Sequence, residues 1–270
     1  MVEKGCKSHL NTVKPYPSDD LDASWEVGVR RNARFCRGGL RTVSRISLCR
    51  LGADKPRSTL ALIGDSHSAH WRPAMDRAAR AERLEVLSLV GSGCDLSTIV
   101  RMPFTWWDPT DCNDYRARIP RFLASRPRIK TVIMAQASYQ EKGETAAYLR
   151  AWSALPGSVK RIITIVDNPR GPTNTYACLR RAIADRKRPG IACSLKRSQA
   201  LKTDYAAAAA RQLVGRQGRV IDFSDLFCDR QRCYPAIGGL LVYAQGSHQT
   251  PAFNQTLAPY LRRQLRHALS

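Results

Sequence analysis

Thr59-Leu60-Ala61-Leu62-Ile63-Gly64-Asp65-Ser66-His67-Ser68-Ala69-His70 decides the reading of this chain. An apolar run short enough for a buried strand stops at Gly-Asp-Ser-His and passes into helical spacing. A serine at such a strand-to-helix turn stands at the rim of a sheet, beside the first backbone N–H groups of the new helix. That is where acyl-transfer chemistry places a nucleophile, so Ser66 is the first candidate. Asp65 is read as tightening the turn through side-chain to backbone hydrogen bonds.

The other end of the chain supplies a partner. Tyr243-Ala244-Gln245-Gly246-Ser247-His248 follows the apolar Gly239-Leu240-Leu241-Val242 and precedes a helix predicted over residues 251–269. A serine on the first strand turn and a histidine on the last converge if both loops leave one edge of a sheet. His248 is therefore the candidate base. His67 and His70 have helical i, i+3 spacing and are read as polar residues of a helix face. No carboxylate or cysteine completes a metal site there, and neither metal nor cofactor is expected.

Between these ends, strands alternate with helices. Strands are predicted over 60–63, 84–90, 131–137, 160–166 and 219–222, and helices over 70–83, 145–155 and 198–216. A further helix ends near 120–125. Such alternation predicts an α/β three-layer sandwich, a mostly parallel central sheet flanked by helices. Residues 1–56 read as a loop-rich lead-in pinned by Cys36 and Cys49 rather than by a core. Residues 57–270 form the α/β domain.

The 270 residues carry 44 Lys and Arg against 22 Asp and Glu, a net charge of +22. That charge attracts polyanions. The basic residues are scattered without interleaved aromatics or any nucleic-acid-binding signature, so a diffuse basic surface is expected and no specific nucleic-acid partner. No apolar run is long enough to span a membrane, and the N-terminus lacks a secretory-type apolar core. Of nine cysteines, eight fall into local couples: Cys36/Cys49, Cys94/Cys112, Cys178/Cys193 and Cys228/Cys233. None forms a CxxC; disulfides in an oxidising compartment and reduced core thiols are the two readings of that spacing. Cys6 is left over. Four disulfides, and with them an extracytoplasmic, periplasmic location, are the expectation. The chain is then an exported part of a longer, membrane-anchored protein or one whose export element is missing.

Taken together, these blocks resemble the SGNH hydrolase superfamily. The nearest likeness is the SGNH domain fused to the C-terminus of acyltransferase-3 membrane acyltransferases. Gly64-Asp65-Ser66-His67 looks like the first block. Ser92-Gly93-Cys94 resembles the segment after the second strand. Ala135-Gln136-Ala137-Ser138-Tyr139 resembles the strand-then-tyrosine segment that replaces the usual Gly-x-Asn block. The likeness covers about residues 30–265.

It implies Ser66 as nucleophile through an acyl-enzyme, His248 as base, and an oxyanion hole from the N–H groups of Ser66 and Gly93, with Gly91 the alternative to Gly93. Gln245 stands where the family has an aspartate, and is the residue placed to orient His248; Asp222, Asp225 or a backbone carbonyl are substitutes. Tyr139, Trp106 and Trp107 are candidate substrate-lining residues; a small satellite core under the loop is the equal alternative for the two tryptophans, and packing against the site for Tyr139. The implied function is an O-acyltransferase or carbohydrate esterase acting on O-acyl, above all O-acetyl, groups of cell-envelope polysaccharide. A membrane acyltransferase domain or protein would supply the acyl group. The alternative is a catalytically degenerate glycan-binding module, to which Gln245 points.

Overall fold

The computed structural model describes residues 33–43, 46–99, 110–138 and 144–270. Its centre is a seven-stranded sheet. In chain order the strands are β1 (Arg41–Val43), β2 (Ile46–Gly52), β3 (Ser58–Gly64), β4 (Leu84–Gly91), β5 (Thr131–Ala135), β6 (Arg161–Ile165) and β7 (Gln217–Ile221). Their spatial order is β1-β2-β4-β3-β5-β6-β7. From β4 to β7 every pairing is parallel, with Gly64 beside Val90 and Ile63 beside Met134. Strands β1 and β2 add an antiparallel edge.

Successive side chains of a strand face opposite sides, and the core divides accordingly. Leu60, Leu62, Ile133 and Ala135 pack on one face with Trp71, Met75, Leu261 and Leu265. These belong to or adjoin α2 (Arg72–Ala81) and the C-terminal helix Ala258–Leu269. Ala61, Ile63, Val132 and Met134 pack on the other face with Tyr115, Ile119, Tyr148 and Trp152, carried by α3 (Thr110–Ala124) and α4 (Glu144–Ser153). The result is the expected three-layer α/β sandwich.

Two elements differ from the sequence reading. Within the segment 1–56, read as loop-rich, β2 is a full strand of the sheet, and Cys49 and Leu51 are wholly buried. Its antiparallel register with β4 gives the Cys36–Cys49 disulfide a core to pack against. The helix predicted over 198–216 is instead two pieces, Arg197–Ala200 and α5 (Tyr205–Arg211), and β7 has already begun at Gln217. Leu201 is extended, and Asp204 caps the second piece by accepting from the Ala207 N–H at 2.8 Å. An N-cap needs non-helical backbone, so the alanine run cannot propagate back through it.

Disulfides join Cys36–Cys49, Cys94–Cys112, Cys178–Cys193 and Cys228–Cys233. Cys6 lies outside the described residues. Among the described residues no helix is long and apolar enough to cross a membrane.

Candidate active site

The carboxyl end of β3 is built for close approach. Gly64 has φ +151°, and a Cβ there would stand 1.8 Å from the Ala135 carbonyl oxygen of β5. Only glycine admits that contact. The buried Tyr115 hydroxyl, reaching in from α3, accepts from the Gly64 N–H at 3.0 Å and lies 3.1 Å from the Leu89 carbonyl. Asp65 then caps a four-residue helix, α1 (Ser66–Ala69). Its carboxylate accepts from the His67 N–H at 2.8 Å and, across to the turn after β5, from the Ala137 N–H at 3.0 Å. Burial pushes the Asp65 carboxyl up to about 6, against the pull of His67 and those N–H groups.

This turn leaves Ser66 partly exposed while Asp65, His67, Ser68, Ala69 and His70 are buried. The last loop comes to meet it. A small hairpin, β8 (Tyr243–Gln245) and β9 (His248–Gln249), reverses at Gly246-Ser247 and pairs Gln245 with His248. Gly246 has φ +54°, the left-handed conformation the tight reversal requires. His248 Nε2 lies 2.8 Å from Ser66 Oγ, joining residues 182 apart in sequence. That distance is within hydrogen-bond reach for proton transfer from a nucleophilic serine to a base.

Three imidazoles gather here. The His67 ring lies 4.9 Å from both the His70 and His248 rings. His67 Nδ1 bonds Asp167 Oδ1 at 2.5 Å and its Nε2 faces Ser247 Oγ at 3.1 Å. Asp167 follows β6, and its other oxygen accepts from the Ser138 N–H at 2.7 Å. Burial works to lower the His67 pKa, but the Asp167 carboxylate and its hydrogen bond, with Asp65, outweigh it and raise the group.

His70 goes the opposite way, for a reason that can be traced atom by atom. The Ala74 backbone N–H, which can only donate, bonds Asn254 Oδ1 at 2.8 Å. Asn254 Nδ2 must then donate, and does so to Gln249 Oε1 at 2.8 Å. That leaves Gln249 Nε2 to donate to Asn168 Oδ1 and to His70 Nε2, each at 3.1 Å. His70 Nε2 is therefore a lone-pair acceptor and the ring is neutral. Burial first, then the neighbouring His67 and His248, drives its pKa well below the ordinary histidine value. Asn168 Nδ2 closes the chain on the Ser247 carbonyl at 2.8 Å, tying the hairpin turn to α2.

The other expected residues are distributed as follows. Gly93, φ +70°, lies in the turn after β4, where the Cys94 N–H returns to the Gly91 carbonyl at 2.9 Å. That turn adjoins the end of β3, and the Cys94–Cys112 disulfide fastens it to α3. Gly91 packs under the Tyr115 ring. Asp222 accepts from the Ser224 N–H and Asp225 pairs with Arg197. Trp106, Trp107 and Tyr139 lie outside the described residues. Among the described residues no group of three or more His, Cys, Asp or Glu is placed to hold a metal ion.

His67 and His70, read as helix-face polar residues, instead face inward and carry hydrogen bonds of the cluster. Asp167, Asn168, Gln249 and Asn254 were not singled out in the sequence. For Asp167 a signal existed: it directly follows an apolar strand, at the carboxyl edge that also presents Ser66.

Comparison with known proteins places this arrangement. Residues 35–263 match the family described as SGNH domain (fused to AT3 domains). No curated protein sequence matches the chain. Among solved structures, the periplasmic domain of the lipopolysaccharide acetyltransferase of Salmonella ser. Paratyphi A is similar in fold, with a TM-score of 0.58 at 13% identity. The alignment covers 78% of this chain and 85% of that one.

Proposed function

The chain belongs to the family of SGNH domains fused to AT3 domains, and on that premise we propose that it transfers or removes O-acyl groups by a Ser66–His248 mechanism. The observation that carries the reading is the 2.8 Å contact between His248 Nε2 and Ser66 Oγ. Ser66 Oγ attacks the acyl carbonyl as its proton passes to His248, and the acyl-enzyme forms when the leaving oxygen departs with that proton, returned to it by His248. The acceptor hydroxyl then gives its proton to the neutral His248 and takes the acyl group, and His248 passes that proton to Ser66 Oγ as the ester breaks. The N–H groups of Ser66 and Gly93 hold the oxyanion, each donor of this kind being worth about two to three orders of magnitude in rate. Asp65 keeps the turn rigid beneath them.

The acceptor in this reading is a sugar hydroxyl of cell-envelope polysaccharide, and acetyl is the group moved. A membrane acyltransferase domain or protein supplies it. The four disulfides support an oxidising, extracytoplasmic setting. The net charge of +22 supports attraction to acidic glycans or anionic lipid. Gln245, a neutral residue across the hairpin from His248, favours the second reading, a glycan-binding module that has lost the chemistry.

Turnover of 4-nitrophenyl acetate separates the two. Ser66→Ala and His248→Ala should each abolish it, and the double variant should be little worse than either, because the pair acts as a unit. Full turnover by Ser66→Ala defeats the enzyme reading.

A further inference from the structure

The sequence contains two Ser-His steps at the site, Ser66-His67 and Ser247-His248, and the fold pairs them crosswise. Ser66 bonds His248 at 2.8 Å, and Ser247 bonds His67 at 3.1 Å. The second pair is the one the Asp167 carboxylate serves, through His67 Nδ1. With Asp167 accepting the Nδ1 proton, the basic lone pair of His67 lies on Nε2 and points at Ser247 Oγ. Asp167 is itself fixed by the Ser138 N–H, and the Ser247 backbone by Asn168. Nucleophile, base and orienting carboxylate thus stand in the order and at the distances of an activated serine. Ser66, Asp167, Ser247 and His248 are partly exposed, while His67 is buried. A serine serving only to pin the hairpin needs no base held by a carboxylate.

We propose that Ser247 is a second acyl-accepting serine of this site, with His67 as its base and Asp167 as the positioning residue of that base. The proposal rests on the acyl-Ser66 chemistry above and adds a relay to it. When the donor's leaving group departs as an anion, His248 holds the proton taken from Ser66. Ser247 Oγ then attacks the carbonyl carbon of acyl-Ser66, giving its proton to His67 Nε2. As the bond to Ser66 Oγ breaks, His248 returns its proton to that oxygen. The oxyanion stays where the Ser66 ester left it, so the relay needs no second oxyanion hole. His248, now neutral, takes the acceptor's proton in the last step and releases it to solvent, which balances the anionic leaving group. His67, now protonated, returns one to Ser247 as its ester breaks. The two histidines alternate, and donor and acceptor need not occupy the same serine.

Acid quench of the intact domain during turnover of 4-nitrophenyl acetate, followed by peptide mass spectrometry, reads both serines. Serine-to-serine ester exchange is nearly thermoneutral, so Ser247 should hold at least about a tenth as much acetyl as Ser66; tenfold corresponds to about 1.4 kcal/mol. Ser247→Ala should confine the acetyl to Ser66. Asp167→Asn should lower the Ser247 share at least tenfold while Ser66 is still acetylated, and His67→Gln supplies the same reading if the former does not fold. Ser66→Ala should leave both unlabelled. Acetyl on Ser66 alone in the parent protein overturns the relay and leaves the Ser66–His248 function standing. Acetyl on neither overturns both. Acetyl on Ser247 in Ser66→Ala overturns the order of the relay and the role of Ser66 as the entry point.

Discussion

Replacing Asn254 by aspartate would test the hydrogen-bond polarity that fixes His70. Asn254 is wholly buried; it accepts from the Ala74 N–H and donates to Gln249 Oε1, both at 2.8 Å. A protonated aspartic acid reproduces both contacts, one oxygen accepting and the hydroxyl donating. An ionised one has no donor. Gln249 must then turn its amide, which sets its oxygen against Asn168 Oδ1 and His70 Nε2, the atoms to which it had donated. Leaving one buried polar contact unmade costs about 1–3 kcal/mol, and a buried carboxylate adds to that. A total of about 3 kcal/mol corresponds to a folded pKa near 6, roughly two units above the unfolded value near 4.

The sign follows from proton counting. Below about pH 4 both states are protonated and Asn254→Asp should be nearly as stable as the parent. Between about pH 4 and 6 the unfolded chain releases a proton that the folded one keeps, so stability falls by roughly 1.4 kcal/mol per pH unit. Above about pH 6 the loss levels near 3 kcal/mol. Urea denaturation of variant and parent side by side from about pH 4 to 7 reads the difference. Nitrogen NMR should also show the His70 proton moving from Nδ1 in the parent to Nε2 in the ionised variant. Asn254→Ala should lose stability equally at every pH. A pH-independent loss in Asn254→Asp would refute the assigned polarity.

Two further substitutions test neighbouring claims. Burial holds the Asp65 carboxyl up to about 6, so the folded protein retains a proton between about pH 4 and 6 that the unfolded chain loses. Stability should fall with pH across that window, and Asp65→Asn should flatten the slope in urea midpoints. Gln245→Asp should raise the rate of Ser66 acylation by an activated ester, because a carboxylate at that position stabilises the imidazolium; in a serine-protease triad the converse change costs about four orders of magnitude. An unchanged rate would mean that another group orients His248.

The parallel strands were legible because each is a continuous apolar run bounded by turn residues, as in Leu60 to Ile63 before Gly64-Asp65. Strand β2 was not, since Ile46 to Gly52 carries Ser47 and Arg50 and its pairing with β4 is decided by a partner about forty residues on. The break at Asp204 was hidden by the alanine run that follows it, which has high helix propensity on its own. At the site, Ser66 and His248 were visible as turn residues at the two ends of the α/β pattern. The inward direction of His67 was not: α1 is only four residues long, too short to show a face, and the carboxylate it meets lies 100 residues away. Local spacing reports which residues share a face; what packs over that face is settled only by the sheet.

The bond between Ser66 and His248 closes a loop of 182 residues. Ordering so long a chain segment is an entropic debt settled by strands β4 to β7, not by the site itself. No early hairpin or helix brings the two side chains together, so an incompletely assembled chain carries an unactivated serine. Reactivity of Ser66 toward an active-site reagent would therefore count molecules whose whole sheet has assembled and whose final hairpin has docked. The site doubles as a sensor of its own finished fold, and lost labelling in a variant far from Ser66 would report incomplete assembly before it reported altered chemistry.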